Sequence, residues 1–189
     1  MLFNSFHYLI FFPIVFCVYW LLSKKSLRLQ NAFLLVCSYF FYSCWDWRFL
    51  FLLIFSTFLD YYTGLKIDQV SSGKLKKSWL LTSVIINLGF LGVFKYFNFF
   101  SHSFSELLHQ FGVQTNEASL NLILPVGISF YTFHGLSYVI DIYKNRIKAE
   151  RSFIDYSVFV SFFPLLVAGP IERATHLLPQ NCLQKNYNI

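Results

Sequence analysis

The chain is a succession of long apolar runs separated by short polar breaks. The first run extends from Phe3 to Leu22 and is closed by Lys24, Lys25 and Arg28. The second runs from Ala32 to about Trp45 and the third from Phe49 to about Tyr62. The fourth covers Trp79 to about Phe100, with Lys95 near its end, and the fifth covers Leu120 to Tyr143. The sixth runs from Phe153 to Ala168 and stops at Gly169-Pro170. A membrane-crossing helix needs about 20 mostly apolar residues, within a range of about 17 to 25. The pattern therefore predicts about six transmembrane helices, the third of them short. The second and third are expected to form a tight helical hairpin around Trp45-Asp46-Trp47-Arg48.

Prolines and glycines qualify this picture. Pro13 lies inside the first run and should kink it. The fifth contains Pro125, Gly127 and Gly135, and Phe162-Phe163-Pro164 followed by Gly169-Pro170 cannot form one straight helix. Broken backbone at membrane depth is tolerated where protein buries it or where it lines a wet cavity. Pro170 cannot continue a helix's hydrogen bonding, so the sixth run should end there and turn Arg173 into a polar interior.

The charges between the runs set an orientation. Basic residues follow the first run (Lys24, Lys25, Arg28), the third (Lys66, Lys74, Lys76, Lys77) and the fifth (Lys144, Arg146, Lys148, Arg151). The stretch after the fourth carries Glu106 and Glu117, and the turn after the second has one charge of each sign. Basic loops face the cytoplasm, so the N-terminus is expected outside. No Lys or Arg precedes Lys24 and the first run ends in Trp20-Leu21-Leu22, which reads as a retained span rather than a cleaved signal.

Composition agrees with a bilayer environment. Charged residues make up 13% and hydrophobic ones 56%, with mean hydropathy +0.53. A soluble domain covers its surface with about 25% charged residues, so much of this surface must meet something apolar. The net charge of +6 follows from the loops, and no basic stripe with interleaved aromatics suggests nucleic acid. Cys17, Cys37, Cys44 and Cys182 show no C-x-x-C spacing, which argues against a metal site or a disulfide framework.

Few residues offer chemistry. Asp60 and Asp141 each lie where an apolar run meets basic residues, followed by aromatics. They read as interfacial carboxylates paired with Lys or Arg, or as the rim of a cytoplasmic funnel. Trp45-Asp46-Trp47-Arg48 reads as an aromatic belt with a local ion pair. His134, within the fifth run, could be a buried base but reads better as a packing histidine. Ser129 follows Gly127, but the second glycine of a nucleophile elbow is replaced by Tyr131. No histidine-carboxylate spacing typical of a metal site occurs.

Four motifs nevertheless form a recognisable set. They are Ser38-Tyr39-Phe40-Phe41-Tyr42 with Trp45 and Asp60-Tyr61, and Phe94-Lys95-Tyr96 with Asn98-Phe99. Next comes Leu124-Pro125-Val126-Gly127-Ile128-Ser129-Phe130-Tyr131-Thr132-Phe133, continuing through Tyr138, Asp141 and Tyr143. The last is Phe162-Phe163-Pro164 through Gly169-Pro170-Ile171 with Arg173. In order and spacing they resemble the membrane-bound O-acyltransferase (MBOAT) family. The nearest branch is the bacterial one of alginate O-acetyltransferase and the D-alanine transfer protein. The set covers most of the chain.

The resemblance implies an all-α polytopic transmembrane helical bundle with Pro/Gly-broken helices. Residues 1–189 would be the N-terminal part of one such domain, an incomplete part of a larger bundle. It implies transfer of an acyl group, acetyl above all, onto hydroxyls of an extracytoplasmic polysaccharide or cell-wall polymer. No bound cofactor is implied; acyl-CoA or an acyl-carrier protein would be the donor, on the cytoplasmic side of a bacterial inner membrane. A polysaccharide-acetylation partner protein outside the membrane is implied as well. The family's catalytic histidine belongs to a later Trp-His-Gly type motif that does not occur before Ile189, so no catalytic residue is expected here and the chain alone should be inactive. A non-catalytic membrane scaffold and a small transporter or channel are the competing readings. A transporter would be expected to show an internal repeat, and none is found.

Overall fold

A computed structural model describes residues 5–23, 26–110, 123–169, 173–175 and 178. Its elements are α1 (Phe6–Ser23), α2 (Leu27–Ser43), α3 (Trp47–Gln69), α4 (Gly73–Gln110), α5 (Ile128–Tyr143), α6 (Phe153–Ser161) and α7 (Phe163–Ala168). No strand occurs among the described residues. The all-α expectation holds.

Among the described residues, three helices are long and apolar enough to cross a membrane: α1, α3 and the Gly73–Phe97 part of α4. All six apolar runs contain helix, but the other three fall short of that length. α2 has 17 residues and α5 has 16, and the sixth run is divided into a 9-residue and a 6-residue helix. The division falls at Phe162, and Pro164 lies in the first turn of α7, where its missing N–H costs nothing. α7 ends at Ala168 with Gly169 as its cap, as the Gly-Pro break predicts. Pro170 itself lies outside the described residues, as do Lys24, Lys25, Glu117 and the start of the fifth run.

The third run departs most from expectation. Rather than a short span ending near Tyr62, α3 continues to Gln69. Asp60, expected at the edge of the span, is buried on its protein-facing side together with Thr63 and Gly64. A helix can carry polar groups across a bilayer when its neighbours hide them.

Cross-helix pairs fix the directions. Tyr8 meets Phe41 and Gln30 Nε2 donates to the Tyr19 carbonyl, so α1 and α2 are antiparallel. Phe49 packs on Phe94 and Tyr62 on Trp79, so α3 and α4 are antiparallel. α3 and α5 are parallel, because Asp60 faces Gly135 and, one turn on, Gly64 faces Tyr138. Asn31 Nδ2 donates to Asp155 and the Phe163 N–H to Ser38 Oγ, so α2 runs parallel to α6–α7. Tyr138 stacks near Tyr156 and His134 near Phe159, setting α6 antiparallel to α5. Each apolar run thus reverses the one before it. Arg28, Lys66, Lys74, Lys76, Lys77, Arg146, Lys148 and Arg151 consequently gather at one end of the bundle.

α5 sits at the centre and contacts α3, α4, α6 and α7. Its residues Tyr131, Tyr138, Val139 and Ile142 are at most 2% exposed. α1 is the opposite case: only Val15 is buried, while Phe6, Leu9, Ile14, Phe16 and Leu21 are exposed. Such a helix is suited to lipid, where exposed apolar side chains carry no penalty.

Candidate functional site in the helix core

The centre of the bundle holds a polar cluster around Asp60. Thirteen residues into α3, Asp60 is 1% exposed. At about 1.5 Å per residue it stands about 20 Å along the helix from Trp47, well inside the membrane-crossing stretch. Ser83 Oγ donates to Asp60 Oδ1 at 2.6 Å, and Asn87 Nδ2 donates to the same oxygen at 2.7 Å. Asn87 Oδ1 in turn accepts from Ser56 Oγ at 2.6 Å. Residues 83 and 87 are one turn apart, so both face α3 from the same side of α4. The other carboxylate oxygen lies against Gly135 of α5, where a Cβ would overlap it.

This overturns the reading of Asp60 as an interfacial carboxylate paired with Lys or Arg. Its hydrogen-bond donors Ser83 and Asn87 are neutral, and no cationic side chain pairs with it among the described residues. Ser56, Ser83 and Asn87 were missed in the sequence. Their signal was the Ser-x-x-x-Asn spacing within an apolar run, since polar side chains there seek partners on neighbouring helices.

Asp141 follows the interfacial reading: its Oδ1 accepts from Arg146 Nη1 at 3.1 Å. Around it, the basic end is stitched by cross-helix bonds. The Tyr138 hydroxyl accepts from the Glu150 N–H at 2.9 Å, and Tyr61 Oη donates to the Arg151 carbonyl at 2.7 Å. Arg151 also pairs with Asp68 at 3.1 Å. Tyr143 is half-buried at the end of α5. The structure therefore brings Asp60 and Tyr138 onto one α3–α5 seam, with Asp141 and Tyr143 further along α5 toward the basic end.

A second group forms where the chain enters α5. Pro125 is buried, and Gly127 has φ 76°, a left-handed conformation that a side chain would strain. A Cβ at Gly127 would also lie 2.5 Å from the Leu166 carbonyl oxygen of α7. Tyr42 Oη donates to the Val126 carbonyl at 3.0 Å, tying this entry to α2. Ser129 is half-buried in the first turn, and Tyr131 is 1% exposed. Pro164 belongs to the same neighbourhood through α7.

Other motif residues stay apart. Trp45 is 49% exposed beside the α2–α3 turn, where Asp46 caps α3 and pairs with Arg48 at 2.8 Å. Arg48's hydrogen bonds hold the Asp46 carboxyl below the usual carboxylate range. This matches the belt-and-ion-pair reading. Lys95 is exposed, with Nζ 5.6 Å from the Tyr96 ring centre. Arg173 is exposed rather than turned into a polar interior. His134 is fully buried against Phe159, in keeping with a packing role. No group of three metal-ligating side chains occurs among the described residues.

No family model and no solved structure matches the chain. Curated proteins do. The probable alginate O-acetylase AlgI of Pseudomonas aeruginosa is 39% identical over 181 residues, covering 95% of this chain and 34% of its own length. Its counterpart in Pseudomonas putida is 39% identical over 172 residues, covering 90% and 35%. The peptidoglycan O-acetyltransferase of Helicobacter pylori is 33% identical over 196 residues, covering 90% and 36%. The likeness thus extends through the α3–α5 seam and the α5 entry alike, over a stretch about a third as long as these relatives, and the chain belongs to the membrane-bound O-acyltransferase family.

Proposed function

We propose that this chain is the front part of a membrane O-acyltransferase that moves acetyl groups onto hydroxyls of an extracytoplasmic polysaccharide or cell-wall polymer. One observation carries the reading: 33–39% identity over nearly the whole chain to acetylases of two chemically different polymers, alginate and peptidoglycan. The shared element is acetyl transfer to an exported polymer, so that is what carries over, and the particular polymer does not.

The role of this part would be architectural. Parallel α3 and α5, locked through Asp60, Gly135, Gly64 and Tyr138, form a rigid wall. The basic end would face the cytoplasm in a bacterial inner membrane, with the N-terminus outside, by the preference of Lys and Arg for that side. An acyl donor such as acyl-CoA or an acyl-carrier protein would approach that end. A separate acetylation partner outside the membrane would receive the group.

The test is ester-linked acetate released from exported polymers by mild alkali. Cells producing the longer polypeptide that contains this chain should yield it, and cells deleted for that polypeptide should lose it. Unchanged acetate after deletion, with the polymer still made, would remove the acetyltransferase reading and favour a scaffold.

A further inference from the structure

The two oxygens of the Asp60 carboxyl have unlike surroundings. Oδ1 accepts from both Ser83 Oγ and Asn87 Nδ2. Oδ2 accepts from no donor among the described residues and rests against Gly135. Gly135 has no N–H to offer it: well inside α5, that N–H is spent on the carbonyl four residues back. The Tyr156 hydroxyl of α6 is fully buried and donates to nothing among the described residues, although the Asp60 charge acts on it. An ionised carboxyl has two equivalent oxygens that both seek donors, whereas a carboxylic acid has one accepting oxygen and one O–H. Two donors on Oδ1 and none on Oδ2 is the division an acid makes.

The surrounding helices supply no compensating charge. α4 carries none between Lys77 and Lys95, and α2 none after Arg28. The charged residues of α5 and α6, Asp141 and Asp155, are themselves acids, bonded to Arg146 and Asn31. On α5, His134 beside Gly135 packs on Phe159, and the Tyr138 hydroxyl one turn along accepts from the Glu150 N–H. No ion pair to Asp60 forms among the described residues. A charge in such a place is costly, and a proton removes it.

We infer that Asp60 is held as the neutral carboxylic acid with its proton on Oδ2, which makes the α3–α5 seam a proton-dependent joint. Loss of the proton leaves a charged Oδ2 against Gly135 with no donor to meet it, so the two helices must part for water to reach it. The sign follows from proton binding. The folded chain keeps a proton that an unfolded Asp releases at about pH 3.9, so stability falls as pH rises above that value, until the folded chain releases the proton too.

The test uses the whole chain in detergent, with its Asp carboxyls labelled with ¹³C. At about pH 5, where an ordinary Asp is ionised, infrared spectra should show an isotope-shifted carbonyl stretch of a protonated acid. The band should disappear in Asp60→Asn and move to higher frequency in Ser83→Ala, which takes one donor from Oδ1. Asp60→Asn keeps an accepting Oδ1 and places N–H donors where the acid has its O–H. Its thermal unfolding midpoint should match the parent's at about pH 5 and exceed it at about pH 9, since the other titrating groups are common to both chains. Absence of the protonated-acid band overturns the inference, and so does a parent midpoint that holds level with Asp60→Asn or gains on it as pH rises. If Asp60→Asn does not fold, the band and its movement in Ser83→Ala decide alone, and a band that Ser83→Ala leaves in place belongs to another Asp and overturns the inference. Both readouts are independent of acetyl transfer.

Discussion

Asp60 Oδ2 occupies the space that a side chain on Gly135 would fill. The relationship is reciprocal along the seam: Asp60 of α3 enters the gap at Gly135 of α5, and Tyr138 of α5 enters the gap at Gly64 of α3. Small residues let helices approach closely in a membrane, where packing rather than water drives association.

Gly135→Ala should therefore be among the most damaging single methyl additions. The new Cβ meets a carboxylate already held by Ser83 and Asn87, which cannot withdraw without losing both bonds. Overpacking of this kind costs about 1–3 kcal/mol. Gly92→Ala on α4 is the control, since nothing lies within 4 Å of its added Cβ. Thermal unfolding midpoints in detergent should fall for Gly135→Ala and stay or rise for Gly92→Ala.

Asn87→Leu should destabilise more than Ser83→Ala. Asn87 both donates to Asp60 and accepts from Ser56, so its loss takes the Ser56 hydroxyl's acceptor away and leaves Asp60 Oδ1 with Ser83 alone. Each unsatisfied group costs about 1–3 kcal/mol, although interhelical bonds in membranes average only about 0.6 kcal/mol where alternative partners exist. A double-mutant cycle between Asn87→Leu and Ser56→Ala should show coupling. Strict additivity would mean that the Ser56 bond contributes nothing.

Topology can be read with a cysteine the chain already carries. Cys44 is exposed at the end opposite the basic residues, beside Trp45. With Cys17, Cys37 and Cys182 changed to Ser, Cys44 should react with an impermeant maleimide on intact cells. Ser72→Cys, in the Cys44→Ser background, should react only after the membrane is opened. The reverse pattern would invert the proposed orientation.

Acid should weaken the α3 cap. The Asp46 carboxyl lies below its ordinary value near 3.8, chiefly through Arg48. A carboxylate with a lowered folded value stabilises fully above the unfolded value and loses that contribution as pH falls through the folded one. Asp46→Asn keeps a capping oxygen without the charge. As pH falls below 3.8 and through the lowered folded value, the parent chain's unfolding midpoint should approach that of Asp46→Asn, while a gap that acid leaves unchanged would show that the ion pair is not involved.

The apolar runs, their reversals and the basic clusters were legible in the sequence because each depends on local composition. So were the break at Phe162-Phe163-Pro164 and the stop at Gly169, since Pro and Gly limit the backbone wherever they occur. The motif set also led to the family. Asp60 shows where such reading stops. With basic residues a few positions on, it looked like the edge of a membrane span. Only the packing of α4 and α5 around it revealed a helix that continues to Gln69 with the carboxylate inside. A buried polar residue is made tolerable by partners that are remote in sequence, here Ser83, Asn87 and Gly135. The length of helix that can cross a membrane was therefore decided by tertiary contact, while the apolar pattern alone determined that the chain would be helical and membrane-embedded.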